Sequence, residues 1–515
     1  MLMLRNAVLR LEEVQELAKA VEKGRCPAAM TGLSPVHRAH IAAAVSGVTE
    51  RPLCVIVSDE QEARRMAEDL RTFFAEEPLI LAGREMRFRS GAASRSFEQQ
   101  RMAVLYRLAR GEAVHVVATV ESLLGRTIPK EVLLETAVEL KVGGRYDLKE
   151  LAQRLVKSGY VRTAQVEGAG QFALRGGILD VFSPLMEQPV RCEFFDDEVD
   201  SMGIFDVGTQ RRVKNVEHAL ILAAEEVLVE FAKGGRTGLA EKLEKLAAKY
   251  EKKGEKIAQT LRSDAELLQN GATLPAPDRY AAAVYEEFAT GFDYLAEETL
   301  LVLSDTPRVL ERLRGALMEW KNDWETLMED GLLAGEFSHL MLENGEFIAH
   351  LEQYPALYLD ALPTSRYPAP PRALLSLMAK QLASYGGSLD TAAADLEQYL
   401  KSRTAVQVLC TGESRAKNLQ TLLREKGITA ALDFSCERLP KAGEVRIGVG
   451  ALSAGMEYPA LQLAVLTEGQ LLAHGGRKKQ AAKSDSRRRI QSFTDLSPGD
   501  LVVHAYHGVG RFVGI

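Results

Sequence analysis

Hydrophobic positions along this chain follow two different periods. Near the N-terminus, short apolar and β-branched runs alternate with segments of helical period: LCVIVS at Leu53–Ser58, Leu79–Leu81, and VHVVA at Val114–Ala118. Between them the spacing predicts helices over 10–24, over LSPVHRAHIAAAVSG, over EQEARRMAEDLRTFF, and over Phe97–Gly111. Strands and helices in this alternation predict a parallel sheet covered on both faces, so residues 1–125 read as an α/β domain. From Gly159 to Gln210 the period becomes two. The runs Gln171–Leu174, Ile178–Phe182 and Val190–Phe195 alternate or are β-branched and aromatic, each bounded by Gly or Pro. Gly176-Gly177 supplies the turn between the first two, where Gly accepts positive φ without a Cβ penalty. Ser183-Pro184 and Gln188-Pro189 delimit the next connection. An antiparallel sheet is expected, with Arg175 and Arg191 placed near neighbouring strands. Asp196, Asp197, Glu198 and Asp200 read as an acidic turn after it.

Residues 126–209 form an inserted α+β domain, opening with VLLETAVELKVGGRY and a helix over Leu148–Ser158. From Asn215 the pattern returns to the first fold, giving a second part over 210–362. It predicts a strand over Val216–Leu222, helices over Leu239–Lys253, Ile257–Leu268 and Tyr280–Phe292, and a strand over Leu300–Leu303. A long helix follows over 308–330, with Trp320 and Trp324 on one face, a spacing that suits packing against a neighbour. Pro355, Pro363, Pro368, Pro370 and Pro371 interrupt the pattern, and 363–371 is the natural boundary. A small α/β domain over 372–470 then repeats helix (Ser388–Lys401), strand (Ala405–Leu409), helix (SRAKNLQTLLREKG) and strands (Val445–Val449, Leu461–Leu466). Residues 471–493 are a basic linker, with Arg477, Lys478, Lys479, Lys483, Arg487, Arg488 and Arg489 opposed only by Asp485. Salt-dependent contact with nucleic acid is the sharper alternative for this run. Residues 494–515 end in two strands, Leu501–His504 and Val509–Ile515, about the turn at Gly508.

Composition narrows the class without naming a function. A chain of 515 residues at 46% hydrophobic has room for about three to four domains. A net charge of −7 with 26% charged residues points to no polyanionic partner at the level of the whole chain. Five cysteines lie far apart with no CxxC, which fits a reduced, cytoplasmic compartment and suggests neither a zinc ribbon nor a disulfide framework. No signal peptide is evident, and no apolar run approaches the ~20 residues that would span a bilayer, so no membrane contact is expected. His504-x-x-His507 lacks a third ligand nearby and is poor evidence for a metal.

The order strand, turn, helix, strand is that of a RecA-like ATPase, which places a phosphate-binding loop at Thr31-Gly32. The stretch there is TGLSPVHRAH. It lacks the Lys that would meet the β- and γ-phosphates and the Ser or Thr that would follow it to hold Mg²⁺. Pro35 also removes one of the amides such a cradle uses. An ATPase fold that has lost ATP is expected, with no catalytic residues, no bound cofactor and no metal in this chain.

The residues FALRGGILDVFSP, VRCEFFDDEVDSMGIFD and the closing TQ resemble the inserted domain shared by UvrB, the nucleotide-excision helicase subunit, and the transcription-repair coupling factor (Mfd) family. UvrB keeps its phosphate-binding loop and adds a tyrosine-rich hairpin. Between Gly83 and Gly111 this chain has only Tyr106, inside a helical pattern. Both departures agree with the degenerate module of the coupling factors. AGMEYPALQLAVLTEGQLL is similar to that family's third domain, which reads as a spacer. LSPGDLVVHAYHGVGRFVGI resembles the opening of its Tudor-like, CarD-type domain.

The resemblance implies a degenerate RecA/helicase-like (UvrB-like) α/β domain split by an inserted α+β domain, then a small α/β domain and a truncated β (Tudor/CarD-like) domain. It implies a UvrA-docking module in which Arg175, Arg191 and Phe195 contact UvrA, an RNA polymerase β-subunit contact beginning near 494, and no ATP hydrolysis. The ATP- and Mg²⁺-dependent DNA translocase, its DNA contact, and the C-terminal region that masks the docking face would all lie beyond Ile515. The chemistry of the three residues suits docking, because Arg offers a planar fork for carboxylates and an exposed aromatic is a common interface anchor. The residues alone also allow Phe195 in a core and both arginines paired on the sheet surface with Asp180 or Glu193. Two other readings stand beside docking: a DNA-dependent ATPase of the UvrB type, and a purely structural scaffold.

Overall fold

The computed structural model describes residues 1–74, 76–89, 96–112, 114–252, 256–285, 287–435, 437–472, 501–504 and 508–511. It is a mixed α/β molecule built on parallel sheets. The first sheet has seven strands in the order Ala373–Ser376, Ala28–Thr31, Ala356–Leu359, Leu300–Ser304, Leu53–Val57, Val116–Thr119, Leu79–Leu81, every neighbouring pair parallel. Its central strands are buried on both faces, which explains why they read as continuous apolar runs instead of alternating ones. Asp59 begins the Glu60–Phe73 helix by accepting from the Glu62 amide at 2.9 Å, and Pro35 occupies the first turn of Pro35–Thr49, where its missing N–H costs nothing.

A second sheet of six strands lies within the chain that separates Val116–Thr119 from Leu300–Ser304. It is a meander in sequence order, Val161–Arg162, Gln171–Arg175, Ile178–Phe182, Val190–Phe195, Glu198–Phe205 and Arg212–Asn215, antiparallel except for its first pair. One face packs Phe172, Leu179, Val181, Val190, Cys192 and Met202 onto Leu151 and Leu155 of the Leu148–Lys157 helix. The expected acidic turn shrinks to Asp196-Asp197, with Asp196 at φ 59°, because Glu198 and Asp200 belong to an eight-residue strand. The expected break at 209/210 moves later for a related reason. Arg212–Asn215 is the sheet's last strand, and His218–Ile221 pairs with Val138–Lys141 and buries Ala219 and Ile221 in the same core, so the strand at Val216–Leu222 does not return to the first fold.

The third sheet has the order Lys380–Leu382, Gly455–Tyr458, Leu463–Thr467, Ala405–Cys410, Val445–Val449, Ala430–Leu432. It begins after residue 376, since Ala373–Ser376 pairs with Ala28–Thr31 at the edge of the first sheet; the boundary expected at 372 therefore falls inside one parallel ladder's reach. This unit packs directly against the first. Met456, Tyr458, Leu463 and Val465 share one apolar cluster with the helices at the N-terminus and with Leu53, Val55 and Leu357 of the first sheet. Helices are thereby sandwiched between two sheets, and the two α/β units have a common interior.

Two other expectations change. Tyr280–Phe292 is not one helix but a 3₁₀ turn, the short helix Ala281–Val284 and the strand Ala289–Thr290. The long helix is Thr306–Glu329, and both its tryptophans are half-buried against the large core, Trp320 lying 5.7 Å from Phe88 between ring centres. The basic linker from 473 onward lies outside the described residues, as do His507 and Cys436. Leu501–His504 and Gly508–Arg511 form an antiparallel hairpin. No helix among the described residues is long and apolar enough to cross a membrane.

Candidate docking face

The six-stranded sheet turns its other face outward, and the three residues singled out above lie on or beside it. Register brings two of them together. Arg191 faces Asp180, which faces Ala173, while Arg175 stands at the end of its strand opposite Ile178. Asp180 is fully buried and receives both guanidinium groups. Arg191 meets it with two donors, Nε to Oδ1 at 2.7 Å and Nη2 to Oδ2 at 2.9 Å. Arg175 adds Nη2 to Oδ2 at 2.9 Å. Charge-assisted bonds of this kind are the strong ones, and the paired geometry of Arg191 fixes its plane.

Arg191 is held further from below and from the side. Its guanidinium lies 4.4 Å above the Phe205 ring centre, a cation–π arrangement, and donates to the Gln210 carbonyl at 3.2 Å and to its Oε1 at 3.3 Å. Its pKa is raised, first by the hydrogen bond to Asp180, against the effect of burial. Gln210 in turn donates to Val207 O at 2.8 Å and adopts φ 57°, closing the loop over Val166, Ala173 and Phe205. Asp180 is buried beneath the two guanidinium groups, on a face whose alternation predicts exposure. The sequence reading gave Gln210 and Phe205 no role, and nothing local could have, because the partners are joined only by the fold.

Phe195 is separate from this cluster and 81% exposed. It is therefore no part of a core. Its strand register opposite Glu198 and the left-handed Asp196 that follows hold it at the end of the sheet. The turn beneath is close: a Cβ on Gly177 would stand 2.8 Å from Phe194 O, which is why only glycine fits there. The arginines do pair with Asp180, as the residues alone allowed; Glu193 is bonded instead to Arg212, at 3.0 Å.

The stretch TGLSPVHRAH has a different fate. Gly32 N donates to Ala361 O at 3.2 Å and Leu33 N to Asp360 O at 3.1 Å, so two amides that would face a phosphate are already engaged. The Leu377 carbonyl lies against Gly32 on the side a Cβ would occupy. Ser34 Oγ is 2.6 Å from His37 Nδ1. His37 and His40 are buried under Tyr458, whose hydroxyl is 3.0 Å from His40 Nδ1, and burial lowers both imidazoles to about 4. Neutral imidazoles supply no charge for a triphosphate. Among the described residues no cluster of His, Cys, Asp and Glu has the arrangement of a metal site.

Comparison with known proteins finds two matching family models and relatives that match most of the chain. Residues 138–227 match the family model of the UvrB interaction domain, and residues 496–515 that of the CarD-like/TRCF RID domain. The relatives that match the chain along its length are transcription-repair-coupling factors. That of Bacillus subtilis is 29% identical over 98% of this chain and 43% of its own length. Those of Staphylococcus haemolyticus and Staphylococcus aureus are 28% and 27% identical over 94% and 96% of this chain. The chain spans about 42–43% of the length of these relatives.

Proposed function

We propose that this chain is the recruitment portion of a transcription-repair-coupling factor, docking UvrA through the outward face of its inserted sheet. One observation carries the reading: within the segment matching the UvrB interaction domain, one sheet carries both an exposed Phe195 and two arginines anchored on one buried carboxylate. On this reading the seven-stranded unit is a degenerate RecA/helicase-like, UvrB-like domain split by the inserted one, working in the cytoplasm. The segment matching the CarD-like/TRCF RID domain would meet the β subunit of RNA polymerase. DNA would be engaged by an ATP-driven translocase outside this stretch of sequence, whose C-terminal region would also cover the docking face until the polymerase is bound.

The deciding experiment is titration of UvrA onto the purified chain, wild type against the Arg175→Ala/Arg191→Ala/Phe195→Ala variant. Truncating such anchors is expected to weaken binding by ~2–4 kcal/mol. Equal binding by the two proteins would place the interface elsewhere. Nucleotide chemistry gives a second test. With the Gly32 and Leu33 amides engaged and no Lys at the loop, calorimetry with MgATP should show no binding and the chain no ATP turnover. Turnover above background would return the UvrB-type ATPase reading.

A further inference from the structure

The proposed docking face contains two arginines in unequal positions. Arg191 has its Nε and Nη2 on Asp180 and its Nη1 on the Gln210 carbonyl, and its side chain is 18% exposed. Every nitrogen of that fork has an acceptor within the chain. Arg175 spends only Nη2 on Asp180 and is 49% exposed, leaving Nε and Nη1 on the solvent side. Ile178, its cross-strand neighbour, is 37% exposed. Asp180, between them, is fully buried and has no other cation in reach among the described residues.

Resting on the docking reading above, we propose that Asp180 is a positioning residue: it fixes Arg191 as a floor and aims the free edge of Arg175 at a partner carboxylate. The partner surface that fits is an acidic residue beside an apolar recess, the first for Arg175 and the second for Phe195 with Ile178. Arg191 then acts through Asp180 and the 206–210 loop, without touching the partner. A free arginine side chain must give up rotamer entropy to bind, and much of that is lost before binding when one nitrogen is already tied down.

The test is a double-mutant cycle on the whole chain, with UvrA as the probe. Asp180→Asn keeps the shape of the side chain and removes its charge. Alone it should weaken UvrA binding about 10-fold, and Arg175→Ala about 10- to 30-fold, as partly desolvated interface charges do. Combined, they should lose no more than about 3-fold beyond Arg175→Ala, since coupled residues are not additive. A residue that merely supports the fold would lower thermal stability and add its full effect to that of Arg175→Ala. If Asp180→Asn does not fold, Arg191→Lys takes its place: it keeps the charge over Phe205 but cannot meet both Asp180 oxygens, and the same non-additivity with Arg175→Ala is expected. Additive losses in the cycle, or binding by Asp180→Asn equal to wild type, overturn the positioning role while leaving docking intact if Phe195→Ala still weakens UvrA. No binding of UvrA by the wild type overturns the docking reading itself, and the positioning role with it.

Discussion

Replacing Glu226 by alanine is expected to cost about 3–5 kcal/mol of folding stability, the usual effect of removing one partner from a buried ion pair. Glu226 is fully buried where the chain leaves the inserted domain. Its Oε1 lies 3.2 Å from Arg101 Nε, and its Oε2 lies 3.4 Å from Arg84 Nε and 2.6 Å from Thr127 Oγ1. Arg101 is itself about 1% exposed and has no second carboxylate among the described residues, so the variant would leave its charge in the core with only the Ala82 and Ser122 carbonyls as acceptors. Arg84 keeps Asp278 as a partner. Urea unfolding at neutral pH reads the loss. Glu226→Gln, which keeps the shape and one acceptor, should lie between the two. Arg101→Met added to Glu226→Ala should recover part of the deficit, because a buried pair replaced by apolar groups costs less than half a pair. A shift in the urea midpoint no larger than that of a surface substitution would mean that this joint is solvated.

The second large effect is acid lability. His37 and His40 are held near 4 by burial, and His115 near 4 as well, against an ordinary imidazole of 6.5. The unfolded chain therefore takes up these protons first as pH falls through 6.5, and the native state takes them up only near 4. Stability from the three groups is fully present above 6.5 and is lost between 6.5 and 4. Asp69 opposes them. Burial raises its carboxyl to about 6 although Ser453 donates to both oxygens, at 2.6 and 2.7 Å, so its contribution grows as pH falls from 6 toward 3.8. These three imidazoles against this one carboxyl leave a net fall on the order of 7 kcal/mol between pH 7 and pH 4, at 1.36 kcal/mol per unit of pKa shift and proton. Denaturant midpoints measured at pH 7, 6, 5 and 4 would show it, and a His37→Gln/His40→Gln variant should lose most of the slope. A flat profile in the wild type would mean that water reaches both rings.

Four strands of the first sheet and three of the inserted meander were legible because their periods are clean, whereas Ala356–Leu359 and Ala373–Ser376, set among prolines, were not. Buried parallel strands such as Leu53–Val57 read as unbroken apolar runs, and Ile178–Phe182 and Val190–Phe195 agree with the structure at both ends. Glu198–Phe205 was missed because DDEVD reads as a turn, although only its first two residues make one. The break after Gln210 was misplaced because His218–Ile221 looks like any short strand, and its partner is Val138–Lys141, far back in sequence. Burial of Asp180 could not be read either. It sits on the polar parity of its strand, and the arginines that close over it come from two other strands. Phe195 went the other way: an aromatic in an apolar run invites burial, but the end of the strand leaves it in solvent. What the residues could say of the nucleotide loop was what it lacks; that its amides are spent on Asp360 and Ala361 is visible only in the fold.

The interior shared by the first and third sheets has a mechanical consequence. Tyr458 ties the third sheet to His40, and His40 Nε2 reaches the Leu4 carbonyl at 2.9 Å, so the N-terminal helix, the first sheet and the third are clamped at one point. The Glu226 joint continues this stiffness into the inserted meander. A load applied to the third sheet would therefore reach the N-terminal helix and the first sheet through packed side chains, and not through the backbone alone.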